Sequence, residues 1–490
     1  MTNNSLSNIN NNKWSLSKLE NQYSSGKKIT RPSEDPIVAV RALRLRKNLD
    51  ELNQFYEKNI PDAMSWMDST EGALNNMNSL LTNIYAQFNQ GANDTLTASD
   101  RASIVENLKG YKNQIYQEGN ANYAGRYLFS GYKTNTSLVF DEASTDTMYT
   151  INETFKGSDI TSHKVVTGDD DYVEYDPANP DASLFENKAK TTEVYRIRLS
   201  YDAVHVAAGT DKITYTIDGV DYEADVVSSS DKTNAYQLTG NAQFIPETGE
   251  LVFSSEQYNK FQGAKEISIT YDKNSFKENE LRPEHYFDCR AVKTAMVDGK
   301  EEVLSDITYT QEDQQIQYEV NFGQKLTINT QGKDALTHTL GREIDEIVAL
   351  VSKIEGLESE IGEVEKKLAE QGITEKQKEA LTALKESLTT ELTLQSKIMQ
   401  ETFSKGMKAT SAVQDQVNEA VADHGARYVR LELVEERLGN QQVEYEDLLS
   451  KNEDADLVEV VVKYNAQETI YNASLSVASK IAKNTLLDFI

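Results

Sequence analysis

The stretch Asp35-Pro36-Ile37-Val38-Ala39-Val40-Arg41-Ala42-Leu43-Arg44-Leu45 opens the longest patterned segment of this 490-residue chain. Asp35 is a credible helix N-cap, and Pro36 falls at the first helical position, where a missing N–H costs nothing. From there Val38, Ala42, Leu45, Leu49, Leu52, Tyr56, Ala63, Trp66, Ala73, Met77, Leu80 and Ile84 keep a 3.5-residue spacing, with Asn59 and Thr70 as the polar members. A stripe of that length predicts a coiled-coil-like seam, not the face of a short globular helix. Pro61 lies inside it, so a kink or break is expected near Asn59. A further helix is expected from about Ser99-Asp100, carrying Ile104, Leu108, Tyr111 and Ile115.

Both ends of the chain read as amphipathic helices. Leu6, Ile9, Leu16 and Tyr23 form a stripe that stops at Ser24-Ser25-Gly26, with Leu19 beside it. Asp456 with Glu459 caps a last helix carrying Leu457, Val461, Tyr464, Tyr471, Leu475, Ala478, Ala482 and Phe489. An isolated helix of about twenty-five residues with one apolar stripe is marginal in water, because nucleation and ordering entropy are hardly offset. Each apolar side chain buried against a partner contributes roughly 1.5–3 kcal/mol before ordering costs. The ends are therefore expected to fold on assembly. Leu6, Ile9, Leu16 and Leu19 would pair with Val461, Tyr464, Leu475 and Ile481 within and between copies.

Between Ser137 and Thr330 the texture changes to Thr, Val, Tyr and Ile alternating with polar residues. Lys212 to Val227 predicts a hairpin turning at Asp218-Gly219. Ile267 to Tyr271, Ile307 to Tyr309 and Ile316 to Ile328 read as further strands. After Gly332 the three- and four-residue steps return at Ile347, Leu350, Ile354, Leu357, Ile361, Val364 and Leu368. Gln371-Gly372 breaks them, Thr374 with Gln377 makes a capping box, and Leu381, Leu384 and Leu388 resume on the return arm of a hairpin over about 342–400. The expected fold is mainly α with an inserted β domain. A long helix bundle from both ends of the chain (27–136 plus 331–456) carries terminal assembly helices (1–26 plus 457–490) and a β-rich surface domain (137–330).

Composition and a search for reactive groups narrow the function. Acidic residues outnumber basic ones 79 to 50, for a formal charge of −29, which opposes nucleic-acid or anionic-membrane binding. The local exception is Lys27, Lys28, Arg31, Arg41, Arg44, Arg46 and Lys47. A basic helix face opposite the carboxylates of Glu432 to Glu459 explains it more simply than a nucleic-acid patch. No apolar run reaches membrane-span length, and the Met1-Thr-Asn-Asn-Ser start lacks the basic-then-apolar pattern of a secretory signal. The five histidines form no ligand pair. Cys289, the single cysteine, lies in an apolar Tyr286-Phe287-Asp288 setting that suits a buried thiol. Asp169-Asp170-Asp171 with Glu174 lacks the spacing of a calcium loop. Arg31 and Arg126 suit structural ion pairs. No nucleotide-binding motif occurs, and no catalytic residue, cofactor or metal is expected.

The layout, together with Thr70-Glu71-Gly72-Ala73-Leu74 and the Leu486-Leu487-Asp488-Phe489-Ile490 ending, resembles the flagellin superfamily. Gly125-Arg126-Tyr127-Leu128-Phe129-Ser130-Gly131-Tyr132-Lys133-Thr134 is similar to the hook-associated proteins of the hook–filament junction and unlike filament flagellin. Pro32-Ser33-Glu34-Asp35-Pro36 and Phe322-Gly323-Gln324-Lys325-Leu326 fit the same family. The resemblance covers about the first 140 and last 90 residues. It implies a non-enzymatic structural protein forming a ring with copies of itself between flagellin and a second hook-associated protein. It also implies an export chaperone, passage through the flagellar type III apparatus without a cleaved signal, and an extracellular place on the flagellum. Filament flagellin, or an adhesin or enzyme carried on flagellin-like ends, are the alternatives. The chain departs from the family in its length and in Pro61.

Overall fold

The computed structural model describes residues 2–93, 96–168, 175–185, 189–231, 234–238, 240–297 and 300–483, without the side chains of 2, 3, 297, 300, 301 and 481–483. The chain is helical at both ends with a β-rich insertion between, and it divides into two compact units. Residues 1–64, 318–326 and 427–490 make the first; residues 65–317 and 327–426 make the second.

The first unit holds helix α1 (Thr2–Ser25), α2 (Pro36–Gln54), the start of α3 (Ile60–Gly91), the end of α8 (Glu375–Glu453) and α9 (Leu457–Lys483). Gly26 closes α1 at φ +69°, a left-handed conformation that a glycine adopts without strain. Asp35 caps α2 by accepting hydrogen bonds from the Ile37 and Val38 amides at 3.0 and 3.2 Å, and Pro36 follows as its first residue. Pro61 neither breaks nor ends the helical path. A π-helical turn at Phe55–Asn59 joins α2 to α3, and the Ile60 amide reaches back to Phe55 O. The wider turn accommodates the proline ring and the amide it lacks. The tip of the hairpin β13 (Gln317–Asn321) and β14 (Gln324–Thr327) packs on this turn. Phe322 meets Phe55 edge-on at 5.3 Å, and Asn59 Nδ2 donates to Glu319 O at 2.8 Å.

In the second unit α3 continues beside α4 (Ala98–Glu118), α7 (His338–Leu368) and the first part of α8. Thr97 and Asp100 form a capping box at the start of α4, two residues earlier than the spacing of its stripe suggests. Trp66, Met77, Leu81, Ile84 and Phe88 are buried, so beyond Met77 the stripe runs through Leu81 and not Leu80. Phe88 and Phe403 interlock α3 with α8. A Cβ on Gly406 would stand 2.3 Å from the Phe88 ring, and one on Gly91 2.3 Å from Phe403. The arms of α7 and α8 form the expected hairpin around Leu357, Val364, Leu381 and Leu388, and the Thr374–Gln377 box starts α8.

The insertion is a ten-stranded sheet, ordered β12-β11-β3-β10-β6-β7-β8-β9-β5-β4. Its strands are β3 (Thr147–Phe155), β4 (Thr161–Thr167), β5 (Lys190–Arg198), β6 (Lys212–Ile217), β7 (Val220–Val226), β8 (Ala242–Ile245), β9 (Glu250–Phe253), β10 (Ile267–Lys273), β11 (Asp288–Val297) and β12 (Lys300–Tyr309). Short pieces β1 (Asn122–Tyr123), β2 (Arg126–Tyr127), α5 (Ser255–Phe261) and α6 (Gly332–Ala335) complete the order. Neighbours are antiparallel except β7 and β8. Asp218 and Gly219, at φ +47° and +81°, make the primed turn that twists with the β6–β7 hairpin. Its core contains Ile151, Tyr201, Phe244, Phe253, Ile267 and Phe276.

Candidate assembly surface on the paired terminal helices

Helices α1 and α9 lie side by side. Facing α9 are the half-buried Ser5, Ile9, Asn12, Leu16 and Leu19, and facing α1 are Val460, Tyr464, Gln467, Tyr471, Ser474 and Ala478. Both series advance in three- and four-residue steps, which is the seam of a coiled coil. Gln467 Nε2 donates to Asn12 Oδ1 at 3.4 Å, a polar pair within an otherwise mostly apolar seam. Such a pair costs stability but fixes register.

At the base of this pair the chain is clamped. The Lys28 amide donates to Glu453 O at 2.7 Å and the Ala455 amide to Gly26 O at 2.8 Å. Glu453 is buried between Arg46 Nη2 at 2.7 Å and Lys27 Nζ at 3.5 Å. Lys27 also meets Asp454 at 2.5 Å. The hydrogen bond that Lys27 donates to Asp454 raises the Lys27 pKa, Glu453 raises that of Arg46, and Lys27 lowers that of Asp454. Asp456 then caps α9 through the Val458 and Glu459 amides at 3.0 and 3.1 Å. Part of the basic stretch therefore pairs within the chain as the carboxylates of Glu432 to Glu459 suggest.

The rest of α9 is uncovered. Leu457, Val461 and Leu475 lie on one flank of the seam, exposed by 37–49%. Val458, Val462, Ile470 and Val477 lie on the other side, exposed by 51–77%. Leu6, Trp14 and Tyr23 of α1 are likewise exposed. Of the residues singled out from sequence, Ile9, Leu16, Leu19, Tyr464 and Tyr471 stand in the α1–α9 seam, and Leu6, Leu457, Val461 and Leu475 face solvent. The Ile481 side chain and Phe489 lie outside the described residues. The valine stripe Val458–Val462 escapes a reading limited to one face, although every third or fourth residue on several faces of this helix is apolar.

Several groups with chemical potential elsewhere are buried. Cys289 is buried, and burial pushes its thiol up to about 12. His424 is buried with Nε2 against Met67 O at 2.9 Å. His163 and His285 are lowered to about 4 and 3, first by burial and then by Arg196 and Lys133 respectively. Arg126 stacks over Trp66 at 4.9 Å; Arg31 is exposed and has no ion pair among the described residues. Asp169, Asp170, Asp171 and Glu174 lie outside the described residues. Among the described residues no His, Cys, Asp or Glu cluster would hold a metal, and no helix is long and apolar enough to cross a membrane.

Residues 1–134 match the family model of the bacterial flagellin N-terminal helical region. More particularly, the chain is similar to flagellar hook-associated protein 3 of Salmonella typhimurium strain LT2, 32% identical over 140 residues, 28% of this chain and 44% of that one. It is 30% identical over 135 residues to flagellar hook-associated protein 3 of Escherichia coli K12, covering 27% and 42%. The chain thus spans less than half the length of these curated relatives. Among solved structures, flagellar hook associated protein-3 of Legionella pneumophila aligns over 83% of this chain and 97% of that one, with 12% identity and a TM-score of 0.30.

Proposed function

We propose that this chain is a structural junction protein of the bacterial flagellum, polymerising between hook and flagellin filament through its terminal helices. The observation that carries the reading is α9, which bears exposed apolar side chains on several faces yet, among the described residues, is covered on one side, by α1. A helix of that kind is stable when surrounded, and neighbouring copies in a tube would surround it. The assembly residues are then Leu6, Ile9, Leu16, Leu19, Leu457, Val461, Tyr464, Tyr471, Leu475, Ile481 and Phe489, with Pro32, Asp35 and Pro36 setting the turn into α2. Residues 1–26 with 457–490 form the assembly region, 27–136 with 331–456 the helical core, and 137–330 the surface domain. The partners are further copies of the chain, flagellin above and a second hook-associated protein below. An export chaperone and the flagellar type III apparatus deliver it, without a cleaved signal, to an extracellular place, where it works as scaffold without catalysis.

Filament flagellin is the second reading. The Gly125 to Thr134 stretch favours the junction. Electron microscopy of a deletion strain tests the choice. Hooks without filaments, with flagellin lost to the medium, support the junction; intact filaments on normal hooks overturn it.

A further inference from the structure

The basic stretch is only partly used by the Glu453 clamp. On α2, Ile37, Val40, Arg44, Lys47 and Glu51 recur in steps of three and four, with Arg41 and Leu43 alongside, while Ala39, Ala42 and Leu52 point the opposite way and are buried. Ile37 and Leu43 are more than 60% exposed. Arg41 and Arg44 have no side-chain partner among the described residues. The end of α8, in the same compact unit, carries a second uncovered stripe: Val429, Leu433, Glu436, Asn440, Val443 and Asp447, again in heptad steps. Glu432 and Glu444 flank it, and Leu431, Val434 and Leu438 take the buried side.

We infer that these two faces bind one another between copies of this chain, the basic-apolar face of α2 docking on the acidic-apolar face of α8 of a neighbour. The inference rests on the junction reading and adds a lateral contact distinct from the α1–α9 seam. Three observations favour a second copy as occupant. Each face is half of a heptad seam, and a seam lowers free energy only when a matching one covers it. Their charges are opposite in balance: Arg41, Arg44 and Lys47, the last paired with Glu51 at 3.5 Å, on one, and Glu432, Glu436 and Glu444, with Arg437 alongside, on the other. Both faces belong to the same subunit and differ from each other, which is the condition for a heterologous contact that propagates round a ring. Direction also agrees. Asn452 Nδ2 donates to Val38 O and Gln442 Nε2 to Asn53 Oδ1, so α2 and α8 run antiparallel within one copy. Copies sharing an axis would then present the two faces antiparallel as well.

The test complements a deletion strain with the full chain. R44E/K47E and E436K/E444K, each alone, should cut the number of filament-bearing cells at least tenfold, and the four changes together should restore it, because the charges are exchanged and not lost. Single-face variants that build filaments like the wild type overturn the inference. So does failure of the fourfold variant to rescue when the purified chain melts at the wild-type temperature. As a second measurement, a photo-crosslinker at Val40 in intact flagella should give dimers whose adduct maps to residues 429–448. Adducts to another protein, or to another segment, overturn it. A deletion strain that keeps its filaments would instead remove the junction reading itself.

Discussion

Arg46 Nη2 meets Glu453 Oε2 at 2.7 Å across 407 positions of sequence, and this contact holds the middle of the second helix to the end of the eighth. The Glu453 side chain is 8% exposed, whereas those of Arg46 and Lys27 are about half in solvent. Removing one exposed cation leaves the other in place, so Arg46→Ala should cost no more than about 1 kcal/mol. Removing both strands a buried carboxylate, and K27A/R46A should cost about 3 kcal/mol, more than the sum of the singles. Hydrogen exchange at the Lys28 and Ala455 amides, whose bonds close the clamp, reads the difference. Additive singles would show that solvent already compensates Glu453.

Gly406 and Gly91 exist for the phenylalanines opposite them. With the Phe88 ring 2.3 Å from a Cβ at Gly406, Gly406→Ala forces the α3–α8 crossing apart. It should destabilise the chain by about 2 kcal/mol by overpacking, despite the better helix propensity of alanine. Trimming the ring with Phe88→Leu in the same chain should recover part of the loss. Urea denaturation of wild type and the two variants checks this, and an unchanged midpoint for Gly406→Ala would contradict the interlock.

Glu153 is 2% exposed in the core of the sheet domain and accepts the Ser200 amide and the Tyr271 hydroxyl. Burial raises its pKa to about 7, with the hydrogen bonds opposing. A folded pKa above the unfolded value of 4.5 means that the folded chain holds the proton more tightly. The contribution is therefore complete below about pH 4.5 and is lost as pH rises through 7, amounting to roughly 3 kcal/mol. Other groups titrate in the same range, so the measurable quantity is the difference between wild type and Glu153→Gln in thermal midpoint. That difference should shift against wild type from pH 5 to 8 and then level off.

The opposite sign applies where β5 meets α7. Arg196 and Arg198 share Glu346, at 2.6 and 2.5 Å, and His163 Nδ1 stands 3.5 Å from it. Burial, then Arg196, keeps His163 neutral down to about pH 4; burial opposes ionisation of Glu346, but Arg196, His163 and Arg198 outweigh it and hold the carboxyl at about 2. The His163 contribution is present above its unfolded value near 6.5 and is lost as pH falls towards 4, and that of Glu346 follows below about 4.5. Limited proteolysis of the sheet domain should accelerate between pH 6.5 and 4, and His163→Gln should remove that first phase while leaving the later one.

The helices and the β6–β7 hairpin were legible because their cues are local, whereas β3, β4, β5, β8, β9 and β11 carry no such cue and were not read as strands. Asp35-Pro36, Thr374–Gln377 and Asp218-Gly219 each fix a start or a turn within four residues, and the structure places a cap or primed turn at each. Pro61 was legible as a disturbance but not as a π turn, since what steadies that turn is a hairpin tip some 260 residues away in sequence, with Glu319 bonded to Asn59. The partner of Glu453 could be guessed only as a class, basic against acidic, because spacing along a helix says which face a residue takes and not which residue it meets. Likewise, Tyr464 and Val461 share a sequence stripe but are parted by about 60° round the helix, enough to put one in the seam and the other in solvent.

Val458 and Val462 supply the last prediction. They sit a turn apart on the outer side of α9, 77% and 63% exposed, and neither helps hold α9 to α1. Replacing both with glutamate should therefore leave the unfolding free energy of the isolated chain within about 1 kcal/mol of wild type, the ordinary range for surface changes. In a flagellum the same two carboxylates would have to enter a dry interface unpaired, at several kcal/mol each. The expected result is a chain that is exported and folded yet absent from purified hook–filament structures by immunoblot. Valine to alanine at both positions removes far less and should leave a partial defect. If V458E/V462E chains are found in the flagella at wild-type amounts, the outer face of α9 is not buried on assembly.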